Sequence, residues 1–97
     1  MAVPFRDITV TTTNDRQVDM FMGKLAYDGH TNIFLSEYRN KAVHVLSSSG
    51  EYERQLLSSD HIDKPYGLAV DRERHLLYVG QPFGKVGVFT MTYENER

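Results

Sequence analysis

Cysteine is absent from the 97 residues of this chain. A disulfide framework, a zinc site built on thiolates and a cysteine nucleophile are therefore excluded. Excess charge is also missing, because the formal net charge is -2 and the isoelectric point is about 6.0. The chain consequently has no general electrostatic attraction to nucleic acid or to an anionic membrane.

Long apolar segments are absent as well. No run approaches the roughly 18 apolar residues of a membrane-spanning helix. The first residues, MAVPFRDITV, lack the apolar core behind a basic head that marks a secretory signal. No window carries an apolar stripe at helical spacing over three turns, so we expect less than about a tenth of the chain to be helical. These absences predict a cytoplasmic protein with no membrane association.

What the sequence does contain is an internal repeat. Residues 25–46, LAYDGHTNIFLSEYRNKAVHVL, align with residues 68–89, LAVDRERHLLYVGQPFGKVGVF, at an offset of 43 residues. Within this alignment, residues 33–35 match residues 77–79 one position later, so an insertion in one turn is compensated by a deletion in the next. Turns are where a structural repeat tolerates such changes.

Each repeat unit reads as short alternating strands separated by turn residues. We predict strands near 8–13, 24–28, 32–37, 41–47, 51–57, 66–71, 76–80 and 85–90, with residues 91–94 as a candidate fourth strand of the second unit. Four short strands repeating every ~40 to 45 residues are typical of a β-propeller blade. The expected fold is therefore all-β, with about two four-stranded antiparallel blades of a propeller whose ring is incomplete.

The same offset divides the chain into three parts. Residues 1–23 are predicted to hold the outer strand of a truncated preceding blade and its loop, with residues 14–22 aligned on 57–65. Residues 24–65 form one blade and residues 66–97 a C-terminal blade. The apolar residues that define the alignment are expected to be buried at equivalent positions in the two units; they are Leu25, Val43, Val45, Leu68, Val86 and Val88.

Specific motifs in both units resemble NHL repeats. Pro65, Gly67, Leu68, Val70 and Asp71 match the opening of that pattern, in which proline and glycine precede an apolar strand that ends in Asp. The closing part of the pattern is matched in the first unit by Asn32, Ile33, Phe34, Leu35, Glu37, Asn40, Val43 and Val45. The resemblance covers about residues 25–91 and implies a six-bladed propeller.

The ending LLYVGQPFGKVGVF further resembles the C-terminal blade of the propellers that finish tripartite-motif proteins. This resemblance implies a link to the ubiquitin pathway. Glu37 and Gln81 depart from it, because the family usually has Asp there. Ala42, where a basic residue is common, and Met22, which aligns with Pro65, are further departures. The zinc modules of a tripartite-motif ligase need cysteine, so this chain cannot itself transfer ubiquitin by that route.

Candidate partner-contact residues lie in the turns between strands. Phe83, in the turn QPFG, is the aromatic residue whose local sequence most favours exposure, and Tyr38, Arg39 and Arg74 are further candidates. Four other aromatic residues fall at alternating strand positions and are interpreted as core between blades; they are Tyr27, Phe34, Tyr78 and Phe89. Binding of RNA needs a basic surface, and the basic residues here are interspersed with acidic ones, so RNA is a possible but weakly supported ligand.

The histidines and recurring aspartates have a chemical and a structural interpretation. His30, His44, His61 and His75 lack the pairwise spacing of a metal site, so solvated turn or strand-face positions are favoured. Asp28 and Asp71 could bring carboxylates to a propeller axis, as in metal-dependent lyases and lactonases. The favoured interpretation is that each accepts backbone N–H bonds across a tight turn.

Two classes of function follow. The first is a noncatalytic protein-interaction module that presents its loops to a protein partner and needs no cofactor. The alternative is a fragment of an RNA-binding or metal-dependent enzymatic propeller. Two blades leave apolar sheet faces uncovered, so further blades or self-association are needed. We therefore expect that the isolated 97 residues do not form a well-behaved monomer. The two options are a closed ring of three copies, which gives six blades, and a sticky, partly folded monomer.

Overall fold

The computed structural model describes residues 7–92, and the fold of this part is all-β, as predicted. It contains no helix in the described residues. The strands are β1 (Leu25–Tyr27), β2 (Asn32–Glu37), β3 (Ala42–Ser47), β4 (Tyr52–Leu57), β5 (Gly67–Asp71), β6 (Leu76–Gln81) and β7 (Lys85–Thr90). Each lies within a residue or two of a predicted strand, because alternating apolar residues between turn signals define these strands locally.

The strands form two antiparallel sheets in chain order. The first sheet has the order β1-β2-β3-β4 and the second has the order β5-β6-β7. Every neighbouring pair is joined by a short turn, which is the connection that antiparallel strands permit. The two sheets are not closed into a barrel, in agreement with the expected incomplete arrangement.

The register of the two sheets confirms the internal repeat. Leu25 pairs with Leu35 in the first sheet, and Leu68 pairs with Val79 in the second. The next strand pair repeats this agreement, because Phe34 lies opposite Val45 and Tyr78 lies opposite Val88. These pairs are equivalent under the sequence alignment, so the repeat is a repeat of strand pairing as well as of sequence.

The predicted strand at residues 8–13 does not form. Thr11 makes an isolated antiparallel bridge with Gln17, and the Val18 N–H donates to the Val10 carbonyl, so residues 10–18 fold back on themselves. A strand needs a paired neighbour along its length, and among the described residues this segment pairs only with the short stretch 16–18. The candidate fourth strand at 91–94 lies partly outside the described residues, while Met91 and Thr92 belong to no strand.

The main core lies between the two sheets. One face of the first sheet contributes Phe34, Val43, Val45 and Leu57, and the second sheet contributes Leu77 and Val79. Ile62, from the linker between the sheets, completes this cluster. A smaller core lies on the other face of the first sheet, where Val18 packs with Leu35 and Leu46.

The predicted burial of six apolar positions is correct for only some of them. Val43 and Val45 are 0% and 2% exposed, and Leu68 packs partly buried against the main core. Leu25, Val86 and Val88 are 62%, 59% and 55% exposed, so their predicted burial is wrong. Tyr27 is also exposed rather than in the core. The reason is the same for all four, because they lie on sheet faces that no second sheet covers.

Candidate partner-contact surface

Loops from both repeat units meet at one end of the two sheets. The turn after β2 (residues 38–41) and the turn after β6 (residues 82–84) lie at this end, together with two linker segments, residues 19–22 and 63–66. We call these four segments the loop surface. Each linker leads into the first strand of its sheet. That strand runs antiparallel to the next one, so it begins beside the end of β2 in the first sheet and of β6 in the second.

A repeated hydrogen bond fixes each linker to its sheet. The Asp19 N–H donates to Glu37 Oε2 over 2.7 Å, and the Asp63 N–H donates to Gln81 Oε1 over 2.9 Å. Glu37 and Gln81 occupy equivalent positions at the ends of β2 and β6. Val18 and Ile62 therefore correspond, which shifts the predicted alignment of residues 14–22 by one position.

Aromatic and cationic side chains pack together on the loop surface. The Phe21 and Tyr38 rings meet edge to face, with centroids 6.3 Å apart. The Arg39 guanidinium lies 4.2 Å from the centre of the Phe21 ring, within the range of a cation–π contact. Asp19 lies 3.8 Å from the same guanidinium. The structure thus brings the predicted contact residues Tyr38 and Arg39 into one cluster.

Two contacts extend this cluster from the first unit to the second. Lys64, on the second linker, lies 5.8 Å from the centre of the Tyr38 ring. Lys41, in the first turn, lies 3.6 Å from an Asp63 carboxylate oxygen. Exposed ion pairs contribute little stability, so their importance here is positional. They make the loop surface continuous across the two sheets.

Phe83 is fully exposed at the tip of the second turn. Its φ angle is 64°, in the left-handed region that bulky L-residues rarely adopt, and Gly84 follows with a φ of 72°. An aromatic side chain that packs against nothing and requires a strained backbone does not help the fold. Asp15, Met22, Lys41 and His75 also have a positive φ, so the feature that distinguishes Phe83 is the full exposure of its ring. Phe83 is therefore the residue of the loop surface with the clearest signal for an external contact.

Arg74 is placed away from the other predicted contact residues. It lies in the turn after β5, at the opposite end of the sheet from Phe83. Asp71 Oδ1 accepts hydrogen bonds from the Glu73 and Arg74 N–H groups, and the Asp71 carboxylate lies 3.8 Å from the Arg74 guanidinium. Asp28 Oδ1 likewise accepts the His30 and Asn32 N–H groups. The turn-forming interpretation of both aspartates is confirmed.

A buried polar network lies directly beneath the first half of the loop surface. Glu37 is completely buried and receives two hydrogen bonds from Arg16, over 2.6 and 2.8 Å. Asn40 Nδ2 donates to the same carboxylate over 2.8 Å, and His44 Nε2 lies 2.7 Å from Oε1. His44 Nδ1 is 3.0 Å from the Tyr52 hydroxyl. Every polar atom of Glu37 is thus satisfied.

The network keeps Glu37 ionised. Burial alone would raise the pKa of Glu37, but hydrogen bonds from Arg16, the Asp19 N–H, His44 and Asn40 outweigh it and lower the pKa to about 2. The hydrogen bond to Glu37 also raises the pKa of Arg16. Burial raises the pKa of the Tyr52 hydroxyl. The carboxylate therefore acts as a fixed negative charge that holds the residue 16–19 segment and the first turn in place.

Sequence reasoning missed this network. His44 is completely buried, so the interpretation of it as a solvated histidine is wrong. Its position between apolar residues in AVHVL was the available signal, since alternation places it on the same face as Glu37. Arg16 lies 21 residues from Glu37 in sequence, and no local pattern indicates that contact.

Comparison with known proteins gave no match to a protein-family model, to a curated protein or to a solved structure. The resemblance to NHL repeats and to tripartite-motif proteins therefore stays a prediction. Within residues 7–92, no group of three or more histidine and acidic side chains is placed to hold a metal ion. Residues 7–92 contain no membrane-crossing helix.

Proposed function

We propose that this chain is a noncatalytic protein-interaction module whose loop surface binds a protein partner. The fully exposed Phe83 carries the proposal, because this large apolar ring is left entirely in solvent at the tip of its turn. Aromatic residues and arginine dominate the binding energy of protein interfaces, and both occur on the loop surface. Phe21, Tyr38 and Arg39 would form one side of the contact and Phe83 the other.

The buried network supports this proposal by preorganising the surface. Asn40 and the Asp19 N–H are held by Glu37, so the turn and linker that carry Arg39 and Phe21 are fixed before binding. A preorganised surface loses less conformational entropy on association than a mobile one. The network is a positioning device in this proposal and does not itself touch the partner.

We also propose where the chain acts and to which kind of protein it belongs. The two sheets would be blades of an NHL-type propeller, and the chain would act in the cytoplasm as the recognition part of a ubiquitin-ligase-related protein. Support comes from the repeated strand register and from the NHL-like residues of both units. No observation on the described residues favours the RNA-binding or enzymatic alternative.

A displayed library of random peptides tests the function. Peptides selected on the native chain should bind Phe83→Gly and Arg39→Ala at least about tenfold more weakly, since each change removes an aromatic or arginine anchor. Arg74→Ala is the matched control, because Arg74 is also an exposed turn arginine 3.8 Å from an aspartate, but at the other end of the sheet.

The control should bind the selected peptides as the native chain does. Equal loss of binding in Arg39→Ala and Arg74→Ala would show that charge alone, and not the loop surface, attracts the peptides. Unchanged binding to Phe83→Gly, or failure to enrich any peptide, would contradict the proposal.

A further inference from the structure

The outer face of the second sheet is apolar and uncovered. Val86 and Val88 are 59% and 55% exposed there, and Tyr78 lies between them and β5. We call the face that carries these three side chains the outer face. Strand alternation directs these three side chains away from the main core. Leu77, Val79 and Phe89, on the same two strands, point toward the main core.

The first sheet shows how an equivalent face is covered. Phe34, Val43 and Val45 in the first sheet correspond to Tyr78, Val86 and Val88 in the second. The three residues of the first sheet are no more than 3% exposed. These first-sheet residues are buried by the second sheet. The face of the second sheet that covers them is the one opposite its outer face, and it carries Leu68, Val70, Leu77, Val79 and Phe89. The occupant that fits the outer face is therefore another sheet with apolar residues at these positions.

The chain carries a second face of that kind on its first sheet. Leu25 and Tyr27 occupy the positions of Leu68 and Val70, and they are 62% and 47% exposed. Val18 lies on the same face. It corresponds to Ile62, which packs between the two sheets, because each residue directly precedes the one whose N–H makes the equivalent linker hydrogen bond. We call this the receiving face. Its linker residue is already in the place that sheet-to-sheet packing requires.

We propose that the outer face of one copy docks on the receiving face of a second copy, head to tail. The docked pair would repeat the packing of the two sheets within one chain, with Val86 and Val88 placed as Val43 and Val45 are. The outer edge of β7 has no paired strand among residues 7–92, so the copy that presents its outer face also presents an open edge. On the receiving face, Leu35 and Leu46 are already buried with Val18, so Leu25 and Tyr27 are the residues open to the incoming copy.

The two faces are different surfaces at opposite ends of the molecule, so the contact is heterologous. A heterologous contact forms a ring when its rotation closes and a filament when it does not. Because each copy supplies two sheets, three copies would supply the six of a closed ring. The docking is distinct from the loop surface, which stays exposed in this arrangement.

Sedimentation equilibrium of the 97-residue chain and three variants tests the proposal. Val88→Asp places a charge on the outer face and Leu25→Asp places one on the receiving face. Both sites are more than half exposed in the single chain, so each variant should fold, as circular dichroism will establish. Arg74→Asp is the control, because Arg74 is an exposed turn residue that lies on neither face and outside the loop surface.

The native chain and Arg74→Asp should associate at micromolar concentration. Val88→Asp and Leu25→Asp should each weaken association at least about tenfold, because a charge buried without a partner is costly. A mixture of these two variants should form a one-to-one dimer that grows no further, since each contributes one intact face. This dimer is specific to the head-to-tail arrangement.

Four results would overturn the proposal. A native chain that remains a cooperatively unfolding monomer would remove it entirely. Normal association of Leu25→Asp with loss in Val88→Asp would indicate two outer faces packed on each other. A mixture of the two variants that stays monomeric, or association that neither variant affects, would show that the occupant is not a second copy docked in this way.

Discussion

The two sheets share one pattern of strand pairing but differ in how their faces are covered. Phe34 and Val45 lie opposite each other in the first sheet and are buried, whereas Tyr78 and Val88 lie opposite each other in the second and face outward. The residue types are similar at both sites. The difference therefore lies in the neighbours of each sheet and not in its own sequence.

A second difference concerns polar groups at the ends of β2 and β6. Both Glu37 and Gln81 are buried and accept an N–H from their linker, but only Glu37 lies in an ionic network. His44 and Gly87 occupy corresponding positions, so the second sheet has no side chain where the first has an imidazole. The common hydrogen bond belongs to the repeat, while the network is an addition to the first unit.

The largest expected effect comes from one substitution made at the two equivalent valines. Val45→Asp should abolish cooperative folding, because it buries an unpaired charge in the main core. Val88→Asp should change the free energy of unfolding by only about 0.5 kcal/mol in the single chain, as for an ordinary surface substitution. Chemical denaturation at a concentration where the chain is monomeric measures both. Equal destabilisation would contradict the different environments assigned to the two valines.

Glu37→Gln makes the end of β2 resemble the end of β6. We expect it to lower the free energy of unfolding by about 3 kcal/mol at pH 7, because Arg16 loses its buried carboxylate partner. Denaturant titration measures the loss. Gln81→Glu is the converse variant and should also destabilise, since the donor to Gln81 Oε1 is a single backbone N–H. A neutral effect of Glu37→Gln would show that the network does not hold the linker.

In the native chain, we expect the stability of the first sheet to depend on pH through Glu37, which has no ionic counterpart in the second sheet. The pKa of Glu37 is lowered from 4.5 to about 2, so its contribution is complete above pH 4.5 and is lost as the pH falls toward 2. Linkage gives about 3 kcal/mol for this difference. Denaturation at several pH values should show the gap between native chain and Glu37→Gln closing over this range. A constant gap would assign the loss to packing instead of charge.

The smallest expected effect is at Phe83, where the backbone is left-handed. Phe83→Gly should raise the free energy of unfolding by about 0.5 kcal/mol, because relief of the strain exceeds the entropy cost of glycine. Thermal unfolding measures this change. A marked loss of stability would show that Phe83 supports the fold, and its exposure would then no longer argue for an external contact.

Much of the fold could be predicted because its determinants are local. Alternation and turn residues located the strands from β1 to β7, and the offset between units predicted which residues of the two units are equivalent. Burial of Leu25, Val86 and Val88 could not be judged this way, since alternation identifies a face but does not identify what covers it. The strand at 8–13 failed for a related reason, because pairing requires a neighbour.

The candidate site was predicted only in part. Turn position and residue type indicated Phe83, Tyr38 and Arg39, and the structure places all three on the loop surface. The same reasoning indicated Arg74, which lies at the opposite end, because turn composition does not reveal the end of a sheet. Glu37 and its partners required the tertiary structure, since Arg16 reaches the carboxylate from a distant segment.

The central claim is that the two sheets are copies of one strand-pairing unit, and nuclear Overhauser contacts between ring protons and valine methyl groups test it most directly. We expect contacts of the Phe34 ring with the Val45 methyl groups and of the Tyr78 ring with the Val88 methyl groups, since both pairs are cross-strand partners on one face. Contacts of the Tyr78 ring with Phe89 in place of Val88 would shift the second sheet by one residue. That result would contradict the repeat.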